Sequence, residues 1–458
     1  MNKEKNTIIQ LNIDNLGING EGVGRWNGKT VFVKGALVGE KIKAKIIFSK
    51  PSFCIAIIQE RLSDSPNRMS PRCPLFLRCG GCNLQHLSYP AQLEYKRKLV
   101  SDNLERIGKL SVKVDETVAS DKTFEYRNKM SLPIRKIGDK TVIGLFAQGS
   151  HRVVECSDCL LQPEWNKTII KLIDEFIKEQ GLVGYDEENK QGDVRHIVVR
   201  EIEECLFITV VARRKIDLGE FAEKLDGKFD SYALYLNVNT AENNVILGDR
   251  WHLCKEKQVQ TQIEGLKIQI HPASFFQVND YVRQKMYEKA VQSIKSFGCT
   301  NVIDAYSGAG LMSAYFARFC DKVYAIEINP QAHKSAQKMI DENKIRNLYP
   351  ICADVKDVIA KVLEENKGAK TAVVLDPPRS GCDGSILKKL NECDIENLVY
   401  ISCDSATLAR DLKILSEKYF IASVTPYDMF PQTSNVETLV VLCKKETGQK
   451  QSRIRRKR

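Results

Sequence analysis

The last third of the chain constrains the fold most, because strand-like and helix-like runs alternate there. From Asn301 onward, helical patterns separate six short apolar runs typical of buried strands: NVIDAY, KVYAIEI, LYPICAD, AVVLDPP, LVYISCD and FIASVTPYDMF. This alternation predicts βαβ units and a mostly parallel sheet, which is an α/β fold. A seventh run, VETLVVLCK, follows the sixth across the turn PQTSN. Because that connection is too short for a crossover, the last two strands must be antiparallel.

The preceding residues show two other patterns. Short strand-like runs between Gly-rich or charged turns fill residues 7–61 and predict a β-barrel of about five strands. Such a barrel is typical of oligonucleotide binding, although a β-rich capping module without a ligand fits the same pattern. After a polar linker at 63–71, residues 111–266 mix strand-like segments with one helix at 164–180. We therefore expect an α+β unit in the middle of the chain.

Length and charge refine this division. A chain of 458 residues is long enough for two or three domains. We predict a barrel at 1–62, a central domain at 63–265, the α/β domain at 266–445 and a basic tail at 446–458. The net charge of +11 favours a polyanionic partner, although the tail fits a solubilising role equally well. Because the sequence has neither a bilayer-length apolar run nor a secretory signal, we expect a cytoplasmic protein.

The carboxyl ends of the predicted parallel strands indicate a nucleoside-binding edge. The first strand ends in DAYSGAG, whose glycines allow a tight turn close to a ligand. The second ends in Glu327, which would accept hydrogen bonds from ribose hydroxyls, and Asp354 follows the third, where it would meet an adenine amino group. DAYSGAG is not the G-x-G-x-x-G pattern of dinucleotide binding. Together with the reversed last strand, the turn favours S-adenosylmethionine and a seven-stranded class I methyltransferase sheet.

Three further residues at the same edge suit methylation of carbon 5 of uracil. Cys403 ends the fifth strand, and its thiolate would add to carbon 6 so that carbon 5 can attack the methyl group. Glu437 begins the reversed strand and would remove the proton from carbon 5, and Asp376 ends the fourth strand and would orient the ring. If the reversed strand lies between the fifth and sixth, Glu437 adjoins Cys403. A following helix, capped by Asp404 or Ser405, would lower the pKa of the Cys403 thiol.

Each of these residues also has a purely structural interpretation. Among fifteen cysteines, any one taken alone is more often a small buried hydrophobe than a nucleophile. A glutamate at a strand start is usually solvated, and an aspartate before two prolines can serve as a turn former. The convergence of a nucleophile, an orienting group and a base on one sheet edge favours catalysis.

At this point DAYSGAG, LDPPRSG, SCDSATLARDL and NVETLVVL resemble the bacterial RNA 5-methyluridine methyltransferases of the iron–sulfur ribosomal RNA type, over nearly the whole chain. The N-terminal strands resemble the TRAM domain of that family, a barrel used for RNA. The resemblance implies that Cys403 is the nucleophile and Glu437 the base. It implies that the contacts to S-adenosylmethionine are Gln277, Tyr306, Glu327 and Asp376. Phe275 and Phe276 beside Gln277 could hold an extruded base, but plain core positions are favoured.

A cysteine cluster adds a predicted metal site. Cys73, Cys79 and Cys82 crowd one loop, and the fourth ligand would be Cys159 or, alternatively, Cys156. Four thiolates also suit structural zinc, but paired C-x-x-C knuckles are usual for zinc, and three cysteines with a distant fourth are nearer to iron–sulfur sites. The family resemblance implies a [4Fe–4S] cluster held by Cys73, Cys79, Cys82 and Cys159. Its expected role is structural or RNA-positioning, because the methylation chemistry requires no electron transfer.

The expected substrate is a uridine of the large-subunit (23S) ribosomal RNA, again by resemblance. Methylation of a transfer-RNA uridine is the main alternative, since both RNAs present the same base to the same catalytic residues. A non-catalytic RNA-binding assembly factor is disfavoured by the intact set of Cys403, Glu437 and Asp376. Small-molecule methylation is disfavoured by the predicted barrel and the basic charge.

Overall fold

The computed structural model describes residues 4–268 and 271–445, so the predicted tail at 446–458 lies outside the described residues. The N-terminal sheet pairs its strands in the order β1-β5-β6-β4-β3-β2, with only β4 and β6 parallel. The sheet curls until β3 meets β1, where a side chain at Gly24 would lie 2.4 Å from the Asn12 carbonyl oxygen. Its strands are β1 Ile8–Asn12, β2 Asn15–Leu16, β3 Gly22–Trp26, β4 Lys29–Lys34, β5 Lys41–Ser49 and β6 Phe53–Ser63.

A second sheet follows α1 (Tyr89–Asn103) and the π-helical turn Leu104–Gly108. Its strand order is β13-β12-β11-β10-β7-β8-β9, in which only β11 and β12 pair in parallel. Two helices pack on it through residues such as Phe176 and Phe221, whereas the sequence predicted one helix here. The elements are β7 Lys129–Ile137, β8 Lys140–Phe146, β9 Val153–Glu155, α2 Trp165–Glu179, β10 Val194–Ile202, β11 Cys205–Ala212, α3 Gly219–Asp226, β12 Tyr232–Val238 and β13 Arg250–Lys257.

The short hairpin of β14 (Gln262–Ile263) and β15 (Leu266–Lys267) precedes the C-terminal sheet. Within 271–445 this sheet has the order β18-β17-β16-β19-β20-β22-β21. The elements are α4 Asp280–Phe297, β16 Asn301–Ala305, α5 Leu311–Ala317, β17 Lys322–Glu327, α6 Pro330–Glu342, β18 Leu348–Cys352, α7 Val355–Glu365, β19 Thr371–Leu375, α8 Gly384–Glu392, β20 Asn397–Ser402, α9 Ser405–Leu415, β21 Tyr419–Tyr427 and β22 Glu437–Lys444.

The reversed strand β22 lies between β20 and β21 and is antiparallel to both. Both faces of the C-terminal sheet are buried, as expected for parallel strands covered by helices. Val302 and Val374 face one hydrophobic core with α4 and α5, and the adjacent residues Ile303 and Val373 face the other core with α8 and α9. Helix α1 also packs on this second side through Val100. Across the described ranges, no helix combines the length and apolar character that a membrane span requires.

Candidate active site

A cavity of about 1070 Å³ opens at the carboxyl edge of the C-terminal sheet. Parallel strands bring their carboxyl ends to one edge, and the reversed β22 brings its first residue to that same edge. The structure therefore places all seven sequence-predicted residues of the nucleoside and catalytic sites around one space. These residues are Gln277, Tyr306, Glu327, Asp354, Asp376, Cys403 and Glu437.

One half of the cavity is formed by the turn after β16 and the end of β17. The Glu327 carboxylate accepts hydrogen bonds from the Gly308 N–H at 2.9 Å and the Asn329 N–H at 2.7 Å. Tyr306 has a φ of 70°, a left-handed conformation that is uncommon outside glycine and often marks a functional turn. The two backbone hydrogen bonds fix the Glu327 carboxylate while its remaining lone pairs are free to accept from hydroxyl groups.

Asp354 lies at the rim of this half. Its side chain accepts the Lys356 N–H at 3.1 Å at the start of α7 and forms an ion pair with the Lys356 ammonium at 3.0 Å. The hydrogen bond from Lys356 lowers the pKa of the carboxyl. Asp354 is thus a helix cap in this structure, and its contact with an adenine amino group stays a prediction.

The other half of the cavity brings Cys403 and Glu437 together. Strands β20 and β22 pair Ser402 with Thr438, so Cys403 and Glu437 form the next pair of this register. Glu437 is only 3% exposed, and no described residue donates a hydrogen bond to its side chain. Burial raises the pKa of the Glu437 carboxyl well above its ordinary value; the charge of Asp376 raises it further and that of Arg379 lowers it. A buried carboxyl with a raised pKa is suited to proton transfer.

The prediction for the Cys403 thiol was wrong in one respect. The following helix α9 is capped by Asp404, which is one of the two predicted caps. The Asp404 carboxylate accepts hydrogen bonds from the N–H groups of Ala406 and Thr407, both at 2.9 Å. The pKa of Cys403 is nevertheless raised to about 11, by burial and then by the charge of Glu437, against the lowering effect of Arg379. The cap occupies the helix N–H groups, so burial and the neighbouring carboxylates outweigh the helix dipole.

The sequence analysis did not assign a role to Arg379, which lies in LDPPRSG and lines the cavity. Its loop is fastened to α9 by three hydrogen bonds. Thr407 Oγ1 donates to the Arg379 carbonyl at 3.1 Å, the Arg410 guanidinium donates to the Ser380 carbonyl at 2.8 Å, and the Cys382 N–H donates to Asp411 at 2.8 Å. The helix that begins beside Cys403 therefore also holds the loop that carries Arg379.

The sequence matches the family described as tRNA (Uracil-5-)-methyltransferase over residues 88–445 and the TRAM domain over residues 2–58. The chain belongs to this methyltransferase family. A relative from Clostridium acetobutylicum, named an uncharacterized RNA methyltransferase, is 37% identical over 452 residues, 96% of this chain and 97% of its own. Another with that description, from Halalkalibacterium halodurans, is 35% identical and covers 96% of this chain and 97% of its own. The resemblance to RNA uracil-5-methyltransferases with a TRAM domain is confirmed.

A solved structure agrees with this assignment. The tRNA (uracil-54, C5)-methyltransferase of Pyrococcus abyssi, in complex with S-adenosyl-L-homocysteine, is 28% identical with a TM-score of 0.75. The match covers 94% of this chain and 99% of that chain. The protein is thus an RNA-modifying enzyme, and its C-terminal sheet has the methyltransferase fold that the alternating sequence runs predict.

The two phenylalanines beside Gln277 occupy different surroundings in the methyltransferase. Phe276 is 6% exposed and belongs to the core, which confirms the favoured interpretation for that residue. Phe275 is 68% exposed and lines the cavity, so the core prediction was wrong for Phe275. Adjacent residues of an irregular segment can face opposite ways, and hydrophobicity alone does not distinguish them.

The cysteine loop, residues 73–82, approaches Cys156 and Cys159. Burial raises the pKa of the Cys82 thiol to about 12, and the nearby Cys159, Cys79 and Cys73 raise it further. Thiols from two separate segments therefore lie close together, which agrees in donor chemistry with a thiolate-bound metal. However, within residues 4–268 and 271–445 no three or more cysteine, histidine or acidic side chains are arranged to hold a metal ion.

Proposed function

We propose that the enzyme methylates carbon 5 of a uridine in 23S ribosomal RNA with S-adenosylmethionine as the methyl donor. The observation that carries the proposal is that Cys403 and Glu437, which directly adjoin the paired residues Ser402 and Thr438, line one cavity that also reaches Glu327. A thiol and a buried carboxyl meet there beside a turn suited to a nucleoside. The family match and the TRAM domain support an RNA substrate, and the enzyme would act in the cytoplasm.

S-adenosylmethionine supplies an electrophilic methyl group when it is bound. The residues present fit it, because the Glu327 carboxylate is pre-positioned by two backbone N–H groups and faces an open cavity. Glu327 would accept hydrogen bonds from the ribose hydroxyls, and Asp354 would approach the adenine amino group. Gln277, Tyr306 and Asp376 would complete the contacts that the resemblance implies, and Asp376 would also orient the uracil ring.

The chain's own residues would then carry out an addition and an elimination. The Cys403 thiolate adds to carbon 6 of uracil, forming a C–S bond and pushing the electron pair of the 5,6 double bond into an enolate. Carbon 5 becomes nucleophilic and would form a bond to the methyl group, whose bond to the sulfonium sulfur breaks and leaves its electron pair on that sulfur. The Glu437 carboxylate removes the proton from carbon 5, and the electrons of that C–H bond restore the double bond while the C–S bond breaks. The Cys403 thiolate is released, and Glu437 returns its proton to solvent.

The outer face of the N-terminal barrel supports RNA docking. The rings of Phe48 and Phe53 lie 6.1 Å apart, and the Lys50 ammonium lies 5.8 Å and 5.7 Å from their centroids. Phe48 and the neighbouring Ile55 are exposed. Aromatic rings with interspersed lysines are typical of surfaces that stack bases and attract phosphates. This face would hold the RNA while one uridine enters the cavity.

A [4Fe–4S] cluster is part of the proposal, with Cys73, Cys79, Cys82 and Cys159 as its ligands. Cys159 is favoured over Cys156 because it is the thiol that acts most strongly on Cys82, whereas the Cys156 thiol donates to the Asp158 carbonyl at 3.2 Å. The thiol chemistry supports such a cluster, although the described side chains do not form a closed ligand set. Its role would be structural, since no step of the methylation needs an electron.

Transfer RNA is the second candidate substrate, favoured by the likeness to the Pyrococcus abyssi tRNA enzyme over 94% of this chain. The deciding experiment is to map 5-methyluridine in ribosomal and transfer RNA from cells with and without the gene. We expect one or more positions of 23S ribosomal RNA to lose the methyl group. Loss confined to transfer RNA would establish the alternative, and unchanged 5-methyluridine in both RNAs would overturn the proposed activity.

The covalent step has a separate test. RNA that contains 5-fluorouridine should form a stable adduct with the enzyme, because fluorine at carbon 5 cannot leave as a proton and elimination stalls. The adduct should be absent from Cys403→Ala and should map to the peptide containing residue 403. An adduct that persists in Cys403→Ala would show that another residue is the nucleophile.

A further inference from the structure

The segment that leads into Glu437 is buried without regular secondary structure. Residues 428–436, here called the base segment, join β21 to β22, and among these nine described residues only Asn435 is exposed. Side chains from distant parts of the chain bind its backbone. Lys96 donates to the Phe430 carbonyl at 3.0 Å and forms a fully buried ion pair with Asp428, and the Tyr126 hydroxyl donates to the Pro431 carbonyl at 3.1 Å. The course of the base segment therefore depends on these partners.

Gln432 is the most constrained residue of the base segment. Its φ is 69°, a left-handed conformation that a residue with a side chain adopts only when its surroundings impose it. The side-chain nitrogen of Gln92 donates to the side-chain oxygen of Gln432 at 3.1 Å. The side-chain oxygen of Gln92 accepts the backbone N–H of Gln432 at 3.0 Å. The N–H groups of Asn83 and Leu84 both donate to the Gln432 carbonyl, at 3.1 Å and 3.0 Å. The residues directly after Cys82 thus impose the turn.

The Asn83 side chain makes the link to Glu437. Its amide nitrogen donates to the Ser434 hydroxyl at 2.9 Å and to the Asn19 carbonyl of the barrel at 2.7 Å. Its amide oxygen accepts the Ser434 N–H at 2.8 Å. Both amide hydrogens and the amide oxygen are therefore used, a combination that neither aspartate nor alanine can supply. Ser434 precedes Glu437 by three residues.

We propose that Asn83 is a positioning residue for Glu437, so that the segment directly after the cysteine loop and the barrel together set the place of the base. The inference rests on the proposed function, because it assigns the proton abstraction to Glu437. It concerns only the step after methyl transfer, since Cys403 lies between β20 and α9 and the side-chain hydrogen bonds of Asn83 in the described structure go to Asn19 and Ser434. Loss of Asn83 should therefore slow the release of the covalent intermediate and leave its formation intact.

The test compares the two steps in Asn83→Ala and Asn83→Asp. With natural RNA, kcat should fall about tenfold and the methylated adduct should accumulate, and KM should fall with kcat so that kcat/KM stays within about twofold of the parent value. With 5-fluorouridine RNA, the rate of adduct formation should stay within about twofold of the parent rate. Ser434→Ala removes the hydroxyl that accepts from Asn83 and also interacts with Tyr95, but it keeps the bond from the Ser434 N–H to Asn83. It should show the same pattern at about threefold, which provides a milder variant if Asn83→Ala folds poorly. Asn19→Ala is the matched control, because only the Asn19 carbonyl binds Asn83.

The outcomes separate this inference from the function on which it rests. Equal slowing of both steps in the Asn83 and Ser434 variants would show a general structural role and overturn the inference, and so would unchanged rates. Glu437→Gln provides the reference. Adduct accumulation in Glu437→Gln without accumulation in the Asn83 variants would reject the positioning role alone. Normal turnover of Glu437→Gln would reject the role of Glu437 as the base.

Discussion

Two regions of this methyltransferase place cysteine thiols in partly buried surroundings and give them different neighbours. Cys403 stands at the edge of the C-terminal sheet and faces groups of other kinds, the carboxyls of Glu437 and Asp376 and the cation of Arg379. Cys82 in the cysteine loop faces other thiols, those of Cys159, Cys79 and Cys73. Burial raises the thiol pKa in both regions, to about 11 for Cys403 and to about 12 for Cys82.

The difference teaches that burial alone does not decide what a thiol does. A thiol beside a base, a ring-orienting carboxyl and a cation can add to a substrate and be released, because protons and charge can move among its neighbours. Thiols that face one another need a shared positive charge before they can all ionise, which is what a metal supplies. Under the proposed function, the same residue type would serve nucleophilic chemistry in one region and metal binding in the other.

The largest expected effect is at Cys403. Cys403→Ala should lower kcat by about 10⁴-fold or more because the covalent step is lost, while the free energy of unfolding stays within about 1 kcal/mol. Methyl transfer to RNA and urea unfolding measure the two quantities. Cys443→Ala is the control, because Cys443 lies on β22 but does not line the cavity. Comparable losses in the two variants would show a general structural effect of losing a thiol and would reject Cys403 as the nucleophile.

The next largest effect is expected at Glu437, the carboxyl group beside the Cys403 thiol. Glu437→Gln retains the size of the side chain but cannot take a proton, so turnover should fall by about 10²- to 10⁴-fold and the methylated adduct should accumulate with natural RNA. Denaturing gel electrophoresis of enzyme with labelled RNA detects the adduct. Slow turnover without any adduct would place the defect before methyl transfer. Glu437 would then not be the base that distinguishes the surroundings of Cys403 from those of Cys82.

The next prediction concerns the thiols of the second region and the metal cluster that they are proposed to bind. Cys159→Ser in anaerobically purified enzyme should lose most of its bound iron and sulfide, whereas Cys156→Ser should retain them, because Cys156 is directed to the Asp158 carbonyl. Iron and acid-labile sulfide per chain are the measurements. The reverse result would make Cys156 the fourth ligand. Parent enzyme that contains no iron when purified anaerobically would reject the cluster.

The charge of Arg379 should govern the pH dependence. Asp376 has a pKa raised to about 7 by burial and by Asp304, and the pKa values of Cys403 and Glu437 are also raised. Cys403 and Asp376 act in their deprotonated forms before methyl transfer is complete, so kcat/KM should rise with pH from about 6 toward 9, whereas Glu437 acts afterwards and affects kcat. Arg379→Leu removes the charge that lowers the pKa of Cys403 and Glu437, so kcat/KM near pH 7 should fall about tenfold and recover partly at higher pH. Arg379→Lys should retain most of the rate, whereas an unshifted profile in Arg379→Leu would exclude this electrostatic role.

The smallest effect tests the helix beside the thiol. Asp404→Ala removes the cap of α9 and should lower the free energy of unfolding by about 1 kcal/mol, measured by urea denaturation. The freed N–H groups would then face the thiolate and lower the pKa of Cys403, so its alkylation by iodoacetamide should become faster at neutral pH. Slower alkylation would show that the cap aids the thiolate rather than competing with it.

Much of the fold and of the site followed from local sequence patterns. The alternating runs after Asn301 predicted the parallel strands, and the short PQTSN turn predicted the reversed strand. The same patterns missed α4, which directly precedes β16, and the short α3, which connects the parallel strands β11 and β12. The boundaries at 62 and 265, the residue roles and the cluster stay predictions. No local pattern reveals Arg379 or Asn83, whose partners lie in distant parts of the chain.

The sequence by itself determined the residue types at the strand ends, because strand periodicity, short turns and the motifs around Cys403, Asp376 and Glu437 are local properties. The tertiary structure alone decided that β22 enters between β20 and β21, which brings the Glu437 carboxyl beside the Cys403 thiol. It also decided that the pKa of this thiol is raised rather than lowered. The physical reason is that ionisation depends on burial and on charges contributed by residues far apart in the chain, and these are fixed only when the sheet closes.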